Sequence, residues 1–174
     1  MRLKNKVALI TGAARGIGLG FAQAFADEGA KVIIADIEIA RATASAAAIG
    51  PAAKAVKLDV TDLSEIDAVV KAVDEEFGGI DILVNNAAIF DMAPINGITE
   101  KSYERVFDIN LKGPLFMMKA VSNVMIERAR GGKIINMASQ AGRRVPCAVA
   151  GSIIRSLRRT PSTRAPRIRS RGRG

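Results

Sequence analysis

Short apolar runs alternate with stretches of helical spacing along most of this chain. The run 7–11 is uncharged and apolar, which is typical of a strand buried on both faces. Helical spacing follows, with Ile17, Phe21 and Phe25 on one predicted apolar face and Gly29 as the terminator. The same alternation predicts further strands at 31–35, 53–58, 80–84 and 133–138, and further helices at 38–49, 62–77 and 99–130.

This alternation predicts an α/β protein with a doubly wound parallel sheet, Rossmann-like, that is truncated after the fifth strand. Ligands bind such sheets in a crevice outside the carboxyl ends of the strands. Polar residues occupy the predicted ends: Asp36 after strand two, Asp59 after three, Asn85 and Asn86 after four, and Ser139 after five. We therefore expect these residues and the loop after strand one to form one binding site.

The loop after strand one is rich in glycine, with Gly12, Gly16 and Gly18 between the strand and the helix. Missing Cβ atoms let the backbone approach a pyrophosphate, and a helix N-terminus offers free N–H groups and partial positive charge. Strand, glycine turn and helix together indicate a dinucleotide-binding fingerprint. The alternative is an ordinary strand-to-helix turn that happens to contain glycines.

Asp36 and Arg15 favour different dinucleotides. A carboxylate at the end of strand two can accept hydrogen bonds from both hydroxyls of the adenosine ribose, and it repels a 2′-phosphate. Arg15, just before Gly16, could instead pair with that phosphate. We give Asp36 more weight because an unpaired repulsion costs more than one exposed pairing gains. The sequence therefore favours NAD over NADP.

Composition narrows the class of protein. The 174 residues are 49% hydrophobic, enough for a core in one domain, and no apolar run approaches the length of a membrane span. The apolar run of the N-terminal stretch is too short for a signal peptide and leads directly into the glycine loop. The single cysteine, Cys147, excludes an internal disulfide, and without histidine we expect no metal site. These features predict a soluble cytoplasmic protein that does not bind membranes.

The net charge of +9 belongs to one end of the chain. Residues 143–174 contain ten arginines and no acidic residue, whereas the first 142 residues contain 16 basic and 17 acidic side chains. The sequence therefore divides into a dinucleotide-binding domain at 1–142 and an arginine-rich tail at 143–174.

The motifs of the first 142 residues resemble those of the short-chain dehydrogenase/reductase family. They are Thr11-Gly12-x-x-x-Gly16-x-Gly18, Asp59-Val60, Asn85-Asn86-Ala87-Ala88, Asn110 and Ser139, with Ala88 where the family usually has glycine. Residues 87–95 and 134–144 look more narrowly like its sorbitol (polyol) dehydrogenases. The resemblance implies oxidation of a secondary alcohol to a ketone, with hydride transfer to NAD.

The resemblance also implies a role for each of these positions. Gly12, Arg15, Gly16, Ile17 and Gly18 would hold the pyrophosphate, Asp36 and Ile37 the ribose, Asp59 and Val60 the adenine edge, and Asn86 and Ala87 the nicotinamide ribose. Ser139 would hydrogen-bond the substrate oxygen, and Asn110 would hold a water in the proton path. Asn85 could instead be structural, tying strand four to its neighbour, and Asn110 could be a structural polar residue in a kinked helix.

The catalytic base of the family is absent from its expected place. The family uses a tyrosine phenolate, assisted by a lysine one helical turn later, because a positive charge favours the ionised phenol. The resemblance places this pair at Ser152 and Ser156, and the only tyrosine is Tyr103. A serine hydroxyl is too weakly acidic to replace the phenol, and there is no histidine to activate it. We therefore expect little or no turnover.

The tail has three interpretations. Its arginine, serine, proline and glycine composition is typical of disorder, and its abrupt start at residue 144 also fits an out-of-frame translation. A basic arm that binds nucleic acid or anionic surfaces is the third. We expect no specific nucleic-acid partner.

The resemblance also bears on the other partners. If the chain is active, we expect a small-molecule polyol as its substrate. The family implies a homo-oligomer, but the helix and strands that would follow strand five and cover the sheet are lost, which makes that homo-oligomer doubtful for this chain.

Overall fold

Five parallel strands form a single sheet in the described part of the chain, as the sequence predicts. The computed structural model describes residues 1–91, 93–129 and 131–139, so the tail at 143–174, with Ser152 and Ser156, lies outside the described part. In chain order the strands are β1 (Val7–Thr11), β2 (Lys31–Asp36), β3 (Ala53–Lys57), β4 (Ile82–Asn85) and β5 (Lys133–Asn136). In space their order is β3-β2-β1-β4-β5.

Helices cover both faces of the sheet, which confirms the doubly wound α/β fold. They are α1 (Gly16–Asp27), α2 (Ile39–Ile49), α3 (Leu63–Phe77), α4 (Glu100–Phe107) and α5 (Gly113–Glu127). None of the helices in the described ranges has the length and apolar character needed to cross a membrane.

The alternation of side chains along β1 divides the core in two. Val7 and Leu9 pack into a cluster that includes residues of α3 and α5, whereas Ala8 and Ile10 pack with residues of α1 and α2 on the other face. Every residue of β1 is buried, as predicted for a strand covered on both faces. The sheet therefore holds the loops at its carboxyl edge on a rigid base.

Strand boundaries depend on pairing more than on the apolar pattern. The predicted fourth strand begins at residue 80, but β4 begins at Ile82, which pairs with Ala8 of β1. Ile80 is nevertheless buried in the core. The predicted fifth strand extends to residue 138, but β5 ends at Asn136, the last residue paired with β4. Ser139 consequently lies three residues beyond the strand rather than immediately after it.

The predicted long helix is interrupted. Thr99 begins it, as expected, with its side chain accepting a hydrogen bond from the N–H of Ser102 at 3.2 Å. A π-helical turn at Asp108–Lys112 then separates α4 from α5. Hydrophobic spacing could not reveal this turn, because apolar residues continue at helical intervals through it.

Asp62 caps the N-terminus of α3, where the sequence predicts the helix to begin. Its carboxylate accepts hydrogen bonds from the N–H groups of Ser64 at 2.9 Å and Glu65 at 3.1 Å. The Ser64 hydroxyl and these N–H groups hold the pKa of Asp62 below its usual range. Glu65 does not return the bond to Asp62 but accepts one from the N–H of Asp59 at 2.8 Å, which ties α3 to the end of β3.

Candidate functional site

The glycines of the loop between β1 and α1 are needed for different reasons. Gly12 has φ +62°, and a Cβ on it would lie 2.7 Å from the Cα of Ala87. A Cβ on Gly18 would lie 2.5 Å from the carbonyl oxygen of Gly12. Gly16 has φ +61° and no atom within 4 Å of its would-be Cβ. Protein packing therefore requires the first and third glycines, and the second leaves open space for a ligand.

The N-terminus of α1 faces this open space with N–H groups that have no acceptor in the part of the chain that the structure describes. The first hydrogen bond into the helix runs from the N–H of Leu19 to the carbonyl of Arg15 at 3.3 Å, so Gly16, Ile17 and Gly18 have no helical acceptor. The first turn contains no acidic side chain, and the Arg15 side chain makes no cap hydrogen bond. Free N–H groups at a helix N-terminus fit a pyrophosphate.

Asp36 ends β2 and fixes the glycine loop at its other side. One carboxylate oxygen accepts a hydrogen bond from the N–H of Ala14 at 3.0 Å, and the other accepts one from the N–H of Glu38 at 3.0 Å. Each oxygen can accept a second bond, so the pair can still accept two hydroxyls. Ile37, beside it, is 58% exposed. Asp36 and the loop are thus adjacent, as the fingerprint requires.

The residues after β3 are already engaged within the protein. The Asp59 carboxylate accepts hydrogen bonds from the N–H of Thr61 at 2.9 Å and from its hydroxyl at 2.7 Å. Val60 is buried in the core, where it lies against Gly113 at the start of α5. Their predicted contact with adenine remains a prediction.

Thr11, Asn86 and Ala87 join the ends of β1 and β4. The Thr11 hydroxyl oxygen accepts hydrogen bonds from the N–H groups of Asn86 and Ala87, both at 3.1 Å. The Asn86 side-chain amide donates to the carbonyls of Thr11 at 3.1 Å and Gly12 at 2.9 Å. These bonds give Asn86 a structural role at the glycine loop, and the predicted position of Asn86 and Ala87 beside a nicotinamide ribose stays a prediction.

Asn85 makes the structural contacts considered above. It is buried, and its amide donates to the side-chain oxygen of Asn136 on β5 at 2.8 Å and to the carbonyl of Pro114 at 3.4 Å. The two asparagines stand opposite each other in the β4–β5 pairing. Asn85 therefore ties β4 to its neighbour and to α5.

Asn110 lies in the π-helical turn and holds the loop after β4. Its side-chain oxygen accepts a hydrogen bond from the N–H of Ile89 at 2.9 Å, and its amide donates to the Ile89 carbonyl at 2.8 Å. This two-bond contact supports the structural interpretation of Asn110. Its place in a proton path stays a prediction.

A cavity of about 620 Å³ lies at the carboxyl ends of β4 and β5, with Ile17 of α1 in its wall, next to the point between β1 and β4 where the strand order reverses. Asn85, Asn86, Asn110 and Ser139 line it together. Asp36 and Asp59 do not, because β2 and β3 lie on the other side of β1. The predicted single crevice therefore has two parts, an open edge at the glycine loop and a cavity beside β4 and β5.

Apolar side chains that the sequence did not single out form most of the cavity wall. Leu111, Leu115 and Met118 contribute from the π-helical turn and α5. Ile17 also lines the cavity and is 68% exposed, whereas Phe21 and Phe25, at the same helical spacing, pack against the core. Helical spacing marks an apolar face but does not distinguish a core from a cavity wall.

Tyr103, the only tyrosine, lies on α4 away from this cavity wall. It is 45% exposed and stacks on Phe107, with ring centroids 4.2 Å apart. It therefore does not replace the phenol that is missing from its expected position.

Sequence comparison identifies the family of the chain. The family model of the short chain dehydrogenases matches residues 6–151. The chain belongs to the short-chain dehydrogenase family. Galactitol 2-dehydrogenase of Agrobacterium fabrum is 94% identical to it over 144 residues, covering 83% of this chain and 56% of that protein. Sorbitol dehydrogenase of Cereibacter sphaeroides is 59% identical over 160 residues, covering 88% of this chain and 62% of that protein.

A third member of the short-chain dehydrogenase family, D-threitol dehydrogenase of Mycolicibacterium smegmatis, is 43% identical over 143 residues, 80% of this chain and 55% of that protein. The predicted resemblance to polyol dehydrogenases of the family is thus confirmed. The chain spans less than two thirds of the length of each of these three relatives.

Proposed function

We propose that this chain binds NAD at the glycine loop and carries the substrate cavity of a polyol dehydrogenase, with little or no turnover of its own. The observation that carries the proposal is the contact of the Asp36 carboxylate with the N–H of Ala14 at 3.0 Å. It sets a negative charge, suited to ribose hydroxyls, beside the unused N–H groups of α1. The names of the three relatives support a polyol as the substrate class.

The residues of the loop fit a dinucleotide. Gly16 leaves space for close approach, the N–H groups of Gly16 to Gly18 would hold the pyrophosphate, and Asp36 would accept the ribose hydroxyls. NAD, when bound, supplies the acceptor for the hydride of the alcohol. Asp36 supports NAD rather than NADP because its charge repels a 2′-phosphate.

The cavity would orient the alcohol. Ser139 is exposed in its wall, where its hydroxyl can donate a hydrogen bond to the substrate oxygen. Asn110 keeps the loop at Ile89 in place, and Ile89 also lines the cavity. Oxidation also needs a group that removes the hydroxyl proton, and Ser152 and Ser156 occupy the positions where the family has tyrosine and lysine.

Binding and turnover can be measured separately. We expect NAD to raise the melting temperature of the purified 174-residue chain more than NADP does. We expect galactitol oxidation to be about 10²- to 10⁴-fold slower than that of the full-length Agrobacterium fabrum enzyme, because general-base catalysis is worth that factor. NADH absorbance measures the rate, with the full-length enzyme as control. Rates equal to the control would contradict the inactivity, and an unchanged melting temperature would contradict NAD binding.

A further inference from the structure

Ser45 is a half-buried serine in the middle of α2 that reaches out of its helix. Its hydroxyl donates a hydrogen bond to the carbonyl oxygen of Ala14, 31 residues earlier, at 2.8 Å. A serine within a helix commonly bonds to the carbonyl one turn before it or to water. The Ser45 hydroxyl instead connects α2 to the glycine loop.

Ala14 is consequently held at both of its backbone polar groups. Its carbonyl accepts from Ser45, and its N–H donates to Asp36 at 3.0 Å. Ala14 is only 2% exposed, so little water is available to replace either bond. The two bonds fix the peptide on each side of this residue.

The bond from Ser45 also sets the direction of the next N–H group. The peptide between Ala14 and Arg15 is planar and trans, so its N–H points opposite to its carbonyl. With the carbonyl turned toward α2, the N–H of Arg15 is turned away from it. No acceptor in the described ranges bonds to that N–H, which adjoins the unused donors of Gly16 and Ile17.

We infer that Ser45 is a positioning residue for the ADP half of the cofactor, an inference that rests on the proposed function. It acts through the peptide between Ala14 and Arg15, which it holds so that the N–H of Arg15 joins the phosphate-binding donors of α1. Removing the hydroxyl leaves the Ala14 carbonyl without its donor and lets that peptide rotate.

The test compares dissociation constants for NAD and for ADP in the full chain. We expect Ser45→Ala to raise both by the same factor, about two- to tenfold, the range of one lost hydrogen bond. Ser45→Cys keeps the side-chain shape with a much weaker donor and should raise both constants as well. Ser45→Thr keeps the hydroxyl and should restore both.

Ser122→Ala is the matched control, because Ser122 is also a half-buried serine within a helix but lies on α5. It should leave both constants unchanged. Unchanged constants in Ser45→Ala and Ser45→Cys, or a change for NAD without one for ADP, would overturn the inference. A merely structural bond would lower the melting temperature without changing either constant. If the unsubstituted chain binds neither ligand, the proposed function itself fails.

Discussion

At the scale of the residue, Asp36 combines a structural and a recognition role. Its two oxygens hold the backbone of the glycine loop at Ala14 and the start of the next loop at Glu38. The remaining lone pairs and the negative charge are what a ribose with free hydroxyls requires. Charge, rather than shape, is therefore the property that we expect to separate NAD from NADP.

Asp36→Asn removes this charge at nearly constant size. We expect it to weaken NAD binding about tenfold, because hydrogen bonds to a charged group are lost or weakened, while NADP binding changes less or improves. Calorimetric titration with each dinucleotide measures the ratio of the dissociation constants for NADP and NAD. Asp27→Asn, at the exposed end of α1, makes the same change in net charge and should leave the ratio as it is. A ratio unchanged by Asp36→Asn would refute the role of its charge.

At the scale of the element, close approach of α5 to the loop after β3 depends on a glycine. A Cβ on Gly113 would lie 2.9 Å from the carbonyl oxygen of Val60 and 3.0 Å from its Cβ. The contact lies next to the π-helical turn, where Asn110 bonds to Ile89. The start of α5 is thus packed from two sides, and its position helps to shape the cavity.

Gly113→Ala should destabilise the fold by about 1–2 kcal/mol, since overpacking outweighs the better helix propensity of alanine. Gly20→Ala, in α1, has no atom within 4 Å of the new Cβ and should instead stabilise by about 0.5–1 kcal/mol. Urea denaturation measures both free energies of unfolding. Equal effects of the two substitutions would show that the contact with Val60 does not matter.

At the scale of the whole molecule, charge is unevenly distributed along the chain. Ten of the 26 basic residues lie at 143–174, where there is no acidic residue, and the rest of the chain is close to neutral. The arm follows β5, the edge strand of the sheet among the described residues, where Ile135 and Met137 are both 37% exposed. An alternative to the dehydrogenase function is that of a non-catalytic NAD-binding fragment whose basic arm, at 143–174, binds nucleic acid or anionic surfaces.

Binding of this arm to duplex DNA should be independent of base sequence and should fall steeply with salt. Replacing Arg158, Arg159 and Arg167 with glutamine should lower the slope of log affinity against log salt by about 2 to 3. Fluorescence anisotropy with two duplexes of unrelated sequence, at several salt concentrations, measures the affinity and its slope. A marked preference for one duplex would contradict nonspecific binding.

The control for that experiment removes the same charge elsewhere. Lys71, Lys101 and Lys119 are exposed on the helices of the domain, and their replacement with glutamine should leave the slope unchanged. A slope lowered equally by both sets would assign the binding to net charge rather than to the arm.

Prediction from sequence succeeded where the signal is local. The beginning of α3 at Asp62 and the turn at Gly12 follow from side-chain chemistry within a few residues. It failed where long-range contacts decide. Ile17 has helical spacing but lies in a cavity wall, and no pattern marks the π-helical turn or separates the two interpretations of Asn85.

By itself, the amino-acid sequence determined the order of strands and helices, the two-sided burial of β1 and the chemical groups at the strand ends, because these depend on side-chain period and type along a short stretch. Only the tertiary structure decided that β4 lies beside β1. This neighbour brings Asn86 to the glycine loop, and it leaves Asp36, at the end of β2, on the side of β1 away from β4. The contact between the Ser45 hydroxyl and the Ala14 carbonyl is likewise visible only in the tertiary structure. The physical reason is that strand neighbours and helix contacts are selected by packing between residues distant in the chain, which no local period encodes.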